Sequence, residues 1–65
     1  MNKVKGYRNM IELTQANLAE KLGISREALN RKEQNDSFTK TEKLAITKIF
    51  NDAGLLIKFS DIFLE

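Results

Sequence analysis

The sequence predicts an all-α domain of four to five short helices. Three observations predict it. Apolar residues recur at three- and four-residue spacing, and Ser or Thr stands at the head of several of these stretches, where a hydroxyl can cap a helix. Proline is absent, so Gly, Asn and Ser/Thr do the punctuating. With 65 residues, no repeat and no low-complexity linker, the chain reads as one domain, 1–65. A domain of that size buries only about 60% of its unfolded surface, so its margin of stability is thin.

The elements follow in order. Val4, Tyr7, Met10 and Ile11 make one apolar stripe of a first helix. Thr14 is placed to cap a second helix running to about Leu22, and Gly23 supplies the left-handed residue that ends it. Leu13 before that cap and Leu18 inside have the spacing of a hydrophobic staple. Ser25 then caps a third helix, and Ile24 with Leu29 repeats the staple. Two capped, stapled helices joined through Gly23-Ile24 make a tight helix-turn-helix.

Asn35 is the expected positive-φ end of the third helix. A fourth starts at Thr39, which has capping-box spacing to Glu42. Its expected buried stripe is Ala45, Ile46, Ile49, Phe50 and Ala53, and Gly54 stops it. The last eleven residues, 55–65, hold seven apolar side chains. Ser60-Asp61 would open a short fifth helix carrying Ile62 and Phe63, while 55–59 suits an extended segment equally well.

Composition narrows the function classes. The chain has no cysteine and no histidine, which removes disulfides, thiolate sites and the usual zinc ligands. No nucleophile–base constellation is recognisable among the remaining acids and hydroxyls, so neither an enzyme, a metal nor a cofactor is expected. No stretch approaches the roughly 20 apolar residues of a membrane span, and the basic start, Met1 to Lys5, leads into Gly6-Tyr7-Arg8-Asn9 instead of an apolar signal core. A cytoplasmic protein without a membrane partner is the expectation. Net charge is only +2, but residues 1–32 carry seven Lys/Arg against three Glu, and 33–65 carry four Lys against six acids. One basic and one acidic end suit a protein that turns one face to a polyanion.

From Leu13 to Glu33 the chain reads Leu-Thr-Gln-Ala-Asn-Leu-Ala-Glu-Lys-Leu-Gly-Ile-Ser-Arg-Glu-Ala-Leu-Asn-Arg-Lys-Glu. This resembles the Cro/CI-type helix-turn-helix of phage repressors, the lambda-repressor-like family. The match rests on Thr14-Gln15, Leu18-Ala19, Gly23-Ile24-Ser25, Leu29 and Glu33, with Arg8 upstream, and extends over about residues 3–53. Ala19 has a physical reason to be small, because the third helix crosses the second there. Three positions depart from the pattern. Lys32 stands where the family has a buried apolar residue, Glu12 replaces a common turn glycine, and Asn35 stands where glycine is usual.

The resemblance implies sequence-specific binding of double-stranded DNA, with a recognition helix over about 25–33 in the major groove. By alignment, Arg26 and Glu27 face base edges first, with Asn30 and Arg31 a turn on. Arg26 or Arg31 suits guanine O6 and N7, Asn30 suits adenine, and Glu27 either accepts from cytosine N4 or orients Arg31 at i,i+4 spacing. Gln15 is the residue expected to touch a phosphate and brace the recognition helix. Thr14, Ser25 and the helix-start amides are further phosphate donors, and Lys32 and Lys40 act electrostatically. The resemblance also implies an Arg8–Glu33 ion pair tying the first helix to the end of the third.

Two function classes follow. One is a phage-type transcription regulator binding operator DNA, with no small-molecule ligand. The other is an antitoxin-like or accessory helix-turn-helix protein whose apolar C-terminal tail binds a different protein. The tail either only completes the monomer core or also forms the twofold contact of a homodimer, at least on DNA.

Overall fold

Local side-chain chemistry delimits the helices of a computed structural model of the chain, in which residues 2–63 are described. Five helices follow one another: α1 (Val4–Met10), α2 (Gln15–Leu22), α3 (Arg26–Asn35), α4 (Lys40–Asp52) and α5 (Phe59–Ile62). The protein is all-α, and no strand joins them among the described residues. Met1, Leu64 and Glu65 lie outside those residues, so the expectations for the last two residues of the tail have no counterpart here.

The caps expected at Thr14, Ser25, Gly23 and Thr39 form. The Thr14 hydroxyl accepts from the Asn17 amide and the Ser25 hydroxyl from the Ala28 amide, both at 3.1 Å. Gly23 ends α2 at φ 73°. Thr39 and Glu42 close a reciprocal capping box, at 2.9 Å from the Thr39 amide to Glu42 and 3.1 Å in return. These bonds satisfy helix-end amides that have no partner within the helix.

The C-terminal ends differ by a residue or two from the expectation. Asn35 is the last helical residue of α3, and Asp36 takes the left-handed conformation, at φ 57°. Either residue type tolerates that region, so composition alone does not set the register. The left-handed residue therefore lies one position beyond the expected Asn35, and the helix runs two residues past the approximate 25–33 span expected of the recognition helix. Likewise α4 ends at Asp52, which leaves Ala53 exposed instead of in the buried stripe. Helix α5 starts at Phe59, one residue before the expected opening at Ser60, because the Lys58 amide donates to the Asp61 carboxylate at 2.8 Å. It carries Ile62 but leaves Phe63 as the extended residue that follows. Residues 55–58 are neither helix nor strand. Asn51 pins them by accepting from the Ile57 amide at 2.9 Å and donating to the Ile57 carbonyl at 3.0 Å.

The core draws on every helix: Val4, Leu18, Ala19, Leu29, Ile46, Phe50 and Ile62, with Phe38 and Phe63 from the connecting and final segments. Phe63 is 1% exposed and meets Phe38 edge-on at 5.7 Å and Phe59 at 5.3 Å between ring centroids. The tail thus completes the core. It also closes the chain on itself, because the Lys3 amide donates to the Ile62 carbonyl at 2.9 Å and Asn2 pairs with Phe63. In α1 the expected stripe holds for Val4, Tyr7 and Ile11, but Met10 is 68% exposed and Arg8 takes an inner position. A seven-residue helix has room for only a narrow inner face, and Arg8 occupies part of it.

The radius of gyration is 10.4 Å, close to the roughly 10.7 Å of a tightly packed chain of this length. None of the helices described is long and apolar enough to cross a membrane.

Candidate nucleic-acid interface

The turn at Gly23-Ile24 folds α3 back across α2, and these two helices pack principally on each other. Ala19 is 2% exposed between them, which agrees with the need for a small side chain. Leu29 fixes α3 from below and is fully buried. With that side committed to the core, residues 26, 27, 30, 31 and 34 form the opposite, exposed side of α3. That side carries Arg26, Glu27, Asn30 and Arg31, the four residues expected to meet base edges. The helix has ten residues, a length of roughly 15 Å.

Gln15, half-buried at the start of α2, lies beside this face. Its amide nitrogen donates to Asn30 Oδ1 at 3.3 Å and to Glu33 Oε1 at 3.1 Å. Together Gln15, Arg26, Glu27 and Asn30 line a shallow hollow between the two helix starts. Thr14 and Ser25 are exposed on either side of it. Their oxygens accept from the helix amides, and each hydroxyl proton stays available to an outside acceptor.

Beneath the face is the expected ion pair. Arg8 Nε donates to Glu33 Oε2 at 3.1 Å and Nη2 to Oε1 at 3.4 Å, with side-chain exposures of 8% and 6%. Arg8 Nη1 also donates to the Leu13 carbonyl at 3.1 Å, so one guanidinium joins α1, the turn before α2, and α3. Asn2 adds a further tie, donating to the Glu33 carbonyl at 3.2 Å and to Asp36 at 3.0 Å.

Lys32 stands apart from the other expected contacts. Its ammonium is 3.1 Å from Glu42, and the side chains are 22% and 17% exposed. The electrostatic role toward phosphate expected of Lys32 thus has a competitor within the fold, because α4 engages its ammonium. Burial raises the Glu42 carboxyl pKa, but the Thr39 amide and Lys32 outweigh it and hold the group below its ordinary value. Lys40 is exposed at the start of α4. Glu27 and Arg31 form no ion pair among the described residues, so neither is neutralised by the other in the free protein.

Sequence reasoning missed Gln34, whose amide reaches Asn30 Oδ1 at 3.5 Å. Its i,i+4 spacing from Asn30 was the available signal. It also missed Asn2, for which no local pattern exists. Among the described residues, no cluster of three or more metal-ligating side chains occurs. No family model, curated protein or solved structure matches this chain.

Proposed function

We propose that this protein is a sequence-specific double-stranded DNA-binding transcription regulator, similar in kind to phage Cro and repressor proteins, that lays α3 in the major groove of an operator half-site. The observation that carries the reading is the division of α3 into two sides. Leu29 and the Arg8–Glu33 pair hold one side in the fold, and Arg26 and Arg31, which form no ion pair among the described residues, stand with Asn30 and Glu27 on the other. A rigid helix offering arginine and amide side chains at successive turns matches the donor and acceptor pattern of major-groove base edges. Thr14, Ser25, Gln15 and the first-turn amides of α2 and α3 flank that side, where the phosphates of the same groove would run.

Two copies on DNA would place their recognition helices about 34 Å apart, one helical turn, on a pseudo-palindrome. Such a protein works in the cytoplasm and needs no cofactor. The alternative, capture of a protein partner by the apolar tail, has less to draw on. Ile62 and Phe63 are already spent on the chain's own core, and Leu56 is the tail's large exposed apolar residue among those described.

Selection of binding sites from random duplex DNA tests the proposal. Enrichment of one short motif, repeated about 10 base pairs away in inverted orientation, is the expected result. Failure to retain any duplex even at low salt removes the DNA-binding reading, because the electrostatic part of such binding is then at its strongest.

A further inference from the structure

The hydrogen-bond polarity of the α3 face is set from within the fold. A carboxylate offers only lone pairs. The Gln15 atom 3.1 Å from Glu33 Oε1 is therefore the amide nitrogen. Its second hydrogen points to Asn30, 3.3 Å away, and only Oδ1 can receive it. Gln34 brings another amide nitrogen to the same oxygen at 3.5 Å. Both lone pairs of Asn30 Oδ1 are thus engaged, while its Nδ2 donates to nothing among the described residues. The orientation begins at Arg8, whose guanidinium holds Glu33 in place.

We propose that the buried Arg8–Glu33 pair, acting through Gln15, turns Asn30 into a donor-only reader that selects a base presenting acceptors, guanine first and thymine second, and rejects adenine. An asparagine free to rotate reads adenine by accepting from N6 and donating to N7. Here the accepting half of that pair is already occupied. Adenine would leave its N6 amino group facing a filled oxygen, and an unpaired polar group at a desolvated contact is costly. Guanine offers N7 and O6, both acceptors, to the two free hydrogens of Nδ2. Gln15 is accordingly a positioning residue whose effect reaches the groove through Asn30. The inference rests on the DNA-binding reading above and gives it a base preference.

Binding-site selection with the wild type, Asn30→Ala, Gln15→Met and Asn30→Asp tests it. Asn30→Ala identifies the base position that depends on this side chain. At that position the wild type should favour guanine or thymine over adenine by about tenfold, the scale of a bidentate contact. Gln15→Met frees the Asn30 amide to turn, so adenine should rise to parity there while the other positions keep their preferences. Asn30→Asp, of the same shape but acceptor-only, should move the preference to cytosine. Circular dichroism confirms that each variant remains folded.

A wild-type preference for adenine at that position, an unchanged preference in Gln15→Met, or no position sensitive to Asn30→Ala would each overturn the proposal. Side-chain amide NMR of the free protein separates this failure from failure of the DNA reading. Both Gln15 amide protons should exchange slowly and those of Asn30 rapidly, and the reverse pattern would refute the relay even where DNA is bound.

Discussion

Arg8 and Glu33, 25 residues apart in the chain, meet as a two-pronged fork in which Nε faces one carboxylate oxygen and Nη2 the other. Both side chains are almost wholly out of water. Removing one partner strands the other charge inside the fold, and such losses run to about 3–5 kcal/mol. Arg8→Met should therefore leave much of the population unfolded at room temperature, since a small domain has little more than that to lose. Arg8→Met combined with Glu33→Leu should recover most of the stability. Urea denaturation of the single and double variants measures both.

Leu29 is fully buried where α3 meets the core. Leu29→Ala should cost about 2–5 kcal/mol through lost transfer energy and the cavity left behind. Far-ultraviolet circular dichroism against temperature should show a melting midpoint lowered by well over ten degrees.

Glu12 holds a left-handed backbone, at φ 55°, between α1 and α2. A side chain there costs about 1–2 kcal/mol, and glycine gives back part of that through the greater freedom of its unfolded chain. Glu12→Gly should stabilise the protein by up to about 1 kcal/mol, raising the melting midpoint by a few degrees. Calorimetry checks it, and a lower midpoint would show that the turn carries no strain.

Glu42 links stability to pH. Its carboxyl titrates below its ordinary value of 4.5 because the Thr39 amide and Lys32 outweigh the effect of burial. A depressed folded-state pKa adds stability that is fully present above the unfolded value and fades as pH falls through the folded one. Stability should thus decline on acidification below about pH 4.5, and Glu42→Gln should flatten part of that limb. Lys32→Ala should weaken stability more than it changes the salt dependence of DNA binding, since α4 already engages that ammonium.

Arg26 and Arg31 are exposed on the side of α3 away from the core, the side proposed to enter the groove. Arg26→Ala and Arg31→Ala should each cost about 1–3 kcal/mol on the selected site and relax preference at one base position. Fluorescence anisotropy on specific and scrambled duplexes measures the difference. Equal losses on both duplexes would reassign the arginines to phosphate.

How much of this was legible in the sequence depends on the reach of each interaction. Thr14, Ser25, Thr39 and Gly23 act within one turn of their own position, and every one of those caps forms as expected. The Arg8–Glu33 pair was legible only through resemblance, because no local pattern connects positions 25 residues apart. Lys32 with Glu42, and Asn2 with Phe63, had no such aid; each depends on how whole helices pack. Met10 has helical spacing yet points outward, since Arg8 claims part of the same short face. At the α3 terminus, Asn35 and Asp36 were chemically interchangeable and only the packed register chose between them.

Asn2 lies opposite Phe63, and the Lys3 amide is bonded to the Ile62 carbonyl. The polypeptide therefore enters and leaves the domain at neighbouring points, like a loop drawn shut by its own cord. A unit with that property can be spliced into a surface turn of a host protein without prising the host apart. By the same geometry, a short linker could run from Phe63 to Asn2 while new termini open at Gly54, on the exposed bend after α4.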